Sequence, residues 1–333
     1  MPQRRRIESR VKRAVFWAVP VALLACVEPR DPPVGSQPEI IPSASPSSAP
    51  PPARSDCPRY SAGSQTGTIE DKAISEASGL AVSRQNPGVL WTHNDSGGHA
   101  RVFALTTDGR NLGSYALKHA RARDWEDISI GPGPEPGTWY LYVGDIGGNS
   151  RPRKKVVVYR VLEPRVKSEQ KAKQRKLDEV DELELRYPKG GAHDAETLMV
   201  DPSTSDLYLV TKQAHGRAAV FVARAPQSQK SHNQLEEVAT LRLPMGPPGA
   251  LLITGGDIAA DGSAIVIRTY SRAYLWPWKA RQSIAEALQA EPCRIPLRPE
   301  PQGEAIAFTA TADAYFTVSE GKHPPLYRYA RQR

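Results

Sequence analysis

The chain reads as an all-β protein, a β-propeller of five blades closed by an N-terminal strand, and three observations predict it. The first is a repeated phrase in which a polar or acidic residue leads into an apolar strand. It is clearest in Gly190-Gly191-Ala192-His193-Asp194-Ala195-Glu196-Thr197-Leu198-Met199-Val200-Asp201-Pro202 and returns at Ala77–Val82, Trp125–Ile130, Gly256–Asp261 and Gly303–Phe308. With Leu80, Ile128, Leu198, Ile258 and Ile306 as equivalents, the intervals are 48, 70, 60 and 48 residues. Repeats of about 40–50 residues built from short strands are the mark of a propeller. The second observation is a shared strand grammar within each repeat. The third is that the last repeat lacks an outer strand, whereas one strand's length of chain precedes the first.

Taken in order, residues 1–25 read as a signal peptide. Arg4, Arg5, Arg6, Arg10, Lys12 and Arg13 precede the apolar run Ala14–Ala25, which Pro20 interrupts. A run of that kind is too short for a membrane-spanning helix, which needs about 20 residues. Leu23-Leu24-Ala25-Cys26 looks like a bacterial lipobox, making Cys26 the candidate lipidation site; an ordinary signal peptide or an uncleaved anchor is the alternative. The expected location is therefore the cell envelope, with the exported chain held by lipid at the outer membrane or cell surface. Net charge is +8, but the leader carries +5 of it, so the remainder gives little reason to expect a nucleic-acid partner. Residues 26–63 form the lipidated cysteine and a Pro/Ser-rich linker, a composition that stays extended and buries no core.

The propeller domain is expected over residues 64–333. Thr66–Glu70 supplies the strand missing from the last repeat, and closure of that kind removes an exposed sheet edge. Each repeat then runs strand A, a turn such as Asp201-Pro202 or Asp261-Gly262, strand B ending in polar residues, strand C, and a variable strand D. The 70-residue interval leaves room for a degenerate sixth blade. Its basic stretch, Arg165 to Lys176, reads as a solvated loop or short surface helix, and Gln282–Ala290 as another short surface helix. Cys57 and Cys293 precede the first and last repeats, which are neighbours in a ring. A disulfide between them fits an exported protein, and two free thiols are the alternative.

Equivalent positions of successive blades converge on the axis. The A phrases bring Glu126, Glu196, Asp257 and Glu304 toward one end, and alternation along a strand allows only one of Glu126 and Asp127 to face it. Asp95, Asp145, Lys212, Arg268 and Glu320, at strand-B ends, and His193 join the same mouth as candidate ligand-binding residues. Converging carboxylates repel one another unless a hard cation neutralises them, and Ca²⁺ accepts six to eight oxygens in loose geometry. Calcium on Glu126, Glu196, Asp257 and Glu304 is one reading; pairing of these acids with Arg268, Lys212 and His193 is the other. The sequence has no Gly-x-Ser-x-Gly elbow and no clustered zinc ligands. Trp91, Tyr142, Tyr270 and Trp276 sit on strands and read as core or rim.

Asp124-Trp125-Glu126-Asp127-Ile128, Tyr142-Val143-Gly144-Asp145-Ile146-Gly147-Gly148-Asn149 and Gln302-Gly303-Glu304-Ala305-Ile306 resemble a widespread group of uncharacterised bacterial envelope lipoprotein propellers. The resemblance covers roughly residues 64–330 and implies the fold more than an activity. Gly148 stands where that group carries an acidic residue. More distantly, the phrases are similar to esterase-like phytases and other calcium-binding propeller hydrolases. The residues are thus consistent with a monomeric, lipid-anchored module that binds a small-molecule or protein ligand at a calcium-stabilised mouth. The alternative is a calcium-dependent hydrolase of phosphoesters or lactones, with Glu196 or Glu304 as metal ligand or general base and Lys212 and Arg268 gripping an anionic group.

Overall fold

The computed structural model describes residues 56–333 apart from 96–97, 149–150, 213–216, 244–248 and 280. The leader, Cys26, Asn149 and linker residues 27–55 lie outside the described residues. Among the described residues, five small sheets form a five-bladed propeller, with one α-helix, α1 (Ile284–Gln289). The chain starts with β1 (Ser64–Thr68) and then builds blade one from β2 (Ala77–Val82), β3 (Val89–Asn94), β4 (Arg101–Thr106) and β5 (Asn111–Leu117). Blade two follows with β6 (Trp125–Pro132), β7 (Trp139–Asp145) and β8 (Lys155–Leu162).

The 70-residue interval hides no sixth blade. It carries β9 (Lys173–Leu177), which turns back and pairs in parallel with β5 as a fifth strand of blade one. The basic stretch expected as a loop or helix therefore ends as an edge strand. β10 (Asp181–Arg186) then completes blade two against β8. Blade three is β11 (Ala195–Val200), β12 (Leu207–Thr211) and β13 (Arg217–Ala223). The short β14 (Asn233–Gln234) crosses back to pair with β10, and β15 (Glu236–Arg242) ends the blade. Blade four is β16 (Ile253–Ile258), β17 (Ala264–Thr269) and β18 (Ala273–Pro277), then α1 (Ile284–Gln289) and β19 (Cys293–Ile295). Ser283 and Glu286 cap α1 reciprocally, and Ile284, Ala287 and Leu288 are buried, so this helix packs inward on β15 and β18.

Blade five is β20 (Gly303–Phe308), β21 (Ala314–Ser319) and β22 (Pro325–Ala330), and β1 pairs antiparallel with β22 as its outer strand. The predicted closure by the N-terminal strand is what the fold uses. Packing begins before residue 64: Tyr60 is buried, bridges Arg331, and donates its hydroxyl to the carbonyl of Ala312 at 2.8 Å. The Cys57–Cys293 disulfide ties this segment to β19, the outer strand of blade four and not the closing blade itself.

Five apolar seams, one between each pair of neighbouring blades, hold the ring. Trp91 and Trp125 lie in the seam of blades one and two, Tyr142 and Phe221 in that of two and three, and Trp276 in that of three and four. Phe308 and Tyr315 fill the fourth seam, and Phe103 and Phe316 close the circle between blades five and one. The inner strands β2, β6, β11, β16 and β20 touch in turn around the axis. Their approach is close enough that a Cβ on Gly255 would lie 2.6 Å from the carbonyl oxygen of Glu304.

Candidate functional site

Every inner strand carries a β-bulge near its start, at Ser78-Gly79, Glu126, Glu196, Thr254 and Glu304. A bulge breaks the ladder and re-aims the extra residue. Both Glu126 and Asp127 of blade two are buried, 4% and 1% exposed. Asp127 accepts from the amides of Ile128 and Leu198, at 2.8 and 3.0 Å, which joins the inner strands of blades two and three.

The bulges bring Glu126, Glu196 and Glu304 to one mouth, and Asp257 stays apart. Its blade's bulge residue is Thr254, three positions earlier, so Asp257 sits deeper and accepts from the amides of Ile258 and Phe308. Gly255-Gly256-Asp257-Ile258 mimics the phrase out of register. Burial pushes the Asp257 carboxyl up to about 6, opposed by Arg84 and by those two amides. Asp145 and Arg268 also leave the mouth. Asp145 pairs with Arg153 at 2.8 Å, while Arg268 is fully buried, 2.9 Å from Glu300 and donating to the carbonyl of Ala305. The ring of His193 packs on Tyr187 and Phe221, with centroids 4.7 and 4.8 Å away, and burial lowers its pKa.

Asp95, Lys212 and Glu320 follow the strand-B ends and do reach the mouth. Their amides donate to the carbonyls of Glu76, Asp194 and Gln302, one position before each inner strand begins. The corresponding residue of blade four is Tyr270, whose hydroxyl donates to Glu304 Oε1 at 3.2 Å. Two further acids lie here, Asp124 and Asp194. One carboxylate oxygen from each of Asp95, Asp124 and Glu126 lies within 4.8 Å of the other two, and the same holds for Glu126, Asp194 and Glu196. A clue to both was present in the sequence as an Asp-x-Glu pair repeated at 124/126 and 194/196. Gly147 makes the crowding possible: a Cβ there would collide with Glu126 Oε1 and come within 2.8 Å of the Asp124 Cγ.

The electrostatics follow from burial and like charge. Burial, then the neighbouring acids Asp124, Glu304 and Glu76, push Asp95 up to about 7. Burial, then Glu196 and Asp95, hold Glu126 well above the usual carboxylate range. Glu196 rises to about 8 through burial, against the opposing pull of Lys212 Nζ at 2.7 Å. Glu320 also rises to about 8, by burial and then by the Glu304 carboxylate beside it. Burial disfavours the Lys212 ammonium, but Glu196 outweighs that, and its pKa ends raised. Glu126 Oε1 and Asp95 Oδ1 are buried and accept no hydrogen bond. Carboxylate oxygens without imidazole or thiolate suit a hard cation such as Ca²⁺ or Mg²⁺ and not zinc. Two surface clefts, of ≈ 690 and ≈ 860 Å³, include none of these residues and open by the A–B turns, at the other end of the strands.

No protein-family model matches the chain, and no curated protein matches it either. Among solved structures, the crystal structure of Chaetomium thermophilum Raptor is similar with a TM-score of 0.44 and 10% identity, over 83% of this chain and 30% of that one. Among the described residues no helix is long and apolar enough to cross a membrane.

Proposed function

We propose that this protein is an exported, lipid-anchored binding module whose acidic propeller mouth holds a calcium ion and presents it to a ligand. The observation that carries the reading is Glu126, whose buried Oε1 has no hydrogen-bond partner and one of whose carboxylate oxygens lies within 4.8 Å of those of two pairs of other acids. A buried polar atom left unpaired costs about 1–3 kcal/mol, and more when charged, so a cation there relieves a standing penalty. Calcium takes more oxygens than one acid group supplies, and its remaining positions are free for a ligand's oxygens. The lipid anchor at Cys26 and the spacer after it would hold that mouth clear of a membrane surface. The hydrolase alternative is left with one anion-gripping base, Lys212, because Arg268 is committed to Glu300 between the blades.

Calcium titration of the purified protein, read by thermal melting with and without chelator, tests the reading. A native-state ligand stabilises the fold by RT ln(1 + [L]/Kd), about 2.7 kcal/mol at a hundredfold excess over Kd, and so raises the melting temperature with concentration. The wild type is expected to show that shift, and Gly147→Ala to lose it by displacing Glu126 and Asp124. A melting temperature indifferent to calcium in the wild type sinks the proposal.

A further inference from the structure

Five of the seven carboxylates at the mouth lie close enough to share a cation, and they do not make one ring. They divide into Asp95–Asp124–Glu126 and Glu126–Asp194–Glu196, with Glu126 common to both. The two groups are differently furnished. The second already contains a cation, because Lys212 Nζ lies 2.7 Å from Glu196 Oε1, and the Gly148 amide donates to Asp194 Oδ1 at 2.6 Å. Lys212 is held at its base, its own amide donating to the Asp194 carbonyl at 2.8 Å. The first group contains both of the buried oxygens that accept nothing, Asp95 Oδ1 and Glu126 Oε1. Blade position explains the asymmetry. Lys212 follows the second strand of blade three where Asp95 follows that of blade one, so at this position the third blade brings an ammonium and the first a carboxylate.

Resting on the cation reading above, we infer that the mouth takes a single divalent cation between blades one and two, on Asp95, Asp124 and Glu126, and that Lys212 is a built-in cation that keeps a second ion out of the Glu126–Asp194–Glu196 group. An ammonium has three donors and no acceptor, so it cannot ligate a metal. It can only compete for the same carboxylate oxygens, and at a few ångströms in a shielded site its repulsion of a divalent ion is strong. Lys212 thereby sets the stoichiometry and directs the ion to one side of the axis.

Equilibrium dialysis against calcium, with ions counted per chain, tests this. The wild type is expected to bind one ion and Lys212→Met two, the second being admitted by loss of the ammonium. Asp124→Asn is expected to weaken the wild-type ion at least tenfold more than Asp194→Asn does. Those two near-isosteric variants keep the assignment testable where Lys212→Met does not fold. Two ions on the wild type, a single ion on folded Lys212→Met, or equal losses from Asp124→Asn and Asp194→Asn each overturn the inference while leaving calcium binding intact. No ion on the wild type removes the cation reading itself.

Discussion

Breaking the Cys57–Cys293 bridge is the perturbation whose size follows most directly from the structure. The bridge joins residues 236 apart, and in the chain-entropy account its removal frees the unfolded ensemble by about 5.5 kcal/mol at 25 °C. That is a large share of the 5–15 kcal/mol by which native domains are typically stable. For a chain of this size the loss corresponds to a fall in Tm on the order of 10 °C. The structure also says what remains: β1 still pairs with β22, and Ser61 still donates its amide to the Ala330 carbonyl. The bridge is thus an addition to strand closure and not its substitute. The assay is a denaturant titration of the Cys57→Ala/Cys293→Ala variant beside the oxidised wild type, followed by tryptophan fluorescence and far-UV circular dichroism. Coincident transitions shifted to lower midpoint at similar slope are expected. A stability difference below about 1 kcal/mol would refute the reasoning, because the open and closed unfolded chains would then have nearly the same freedom.

The buried Arg268–Glu300 pair between blades four and five predicts a different signature. Glu300→Gln leaves a fully buried guanidinium short of its counter-charge and is expected to cost about 3–5 kcal/mol in chemical denaturation, whereas the double variant Arg268→Met/Glu300→Leu is expected to cost less. A double variant worse than the single one would contradict this. The pH dependence follows from the mouth acids, whose folded values near 7 and 8 lie above the unfolded values of about 4. Such groups bind protons more tightly when folded, so their contribution is complete below about pH 4 and is lost as pH rises toward 8. In chelator, Tm should fall from pH 5 to pH 8, and excess calcium should restore it most at pH 8; a Tm that rises over that range would contradict the assignment.

Much of the architecture was legible because propeller blades repeat, and repetition survives local noise. The five phrases, the closing strand before Ala77, and the pairing of Cys57 with Cys293 all follow from counting strands around a ring. What could not be read had a local physical cause. Lys173–Leu177 forms a strand although Lys-Gln-Arg-Lys-Leu has no apolar alternation, since an added edge strand is exposed on both faces and its backbone pairing with β5 decides its conformation. The sequence points Asp257 to the mouth because Gly256-Asp257-Ile258 imitates the phrase, and Arg268 because it stands at a strand-B end. The bulge at Thr254, invisible to a period-two reading, shifts that blade and turns Arg268 into the seam. Asp124 and Asp194 were within reach as a repeated Asp-x-Glu, but that pattern gains meaning only once a bulge places both acids together.

The bulge is also what converts a symmetric scaffold into an asymmetric site. A regular inner strand would aim equivalent side chains at the axis from all five blades. Here one bulge residue per blade is released from the ladder, and its identity sets what that blade contributes: Ser78, Glu126, Glu196, Thr254 and Glu304. Blade four, with Thr254 and Tyr270, brings no charge at these positions, and its phenol bonds to Glu304 across the seam. Blade three brings its own ammonium to Glu196. Asp95 Oδ1 and Glu126 Oε1, the buried mouth oxygens that accept no hydrogen bond, lie where blades one and two meet, beside the glycine at 147 that lets Asp124 and Glu126 crowd together. A fivefold framework thus yields one sector that differs from the rest, and it is there that the proposed cation is assigned. Exchanging bulge residues between blades should move that sector around the axis without disturbing the seams that hold the ring.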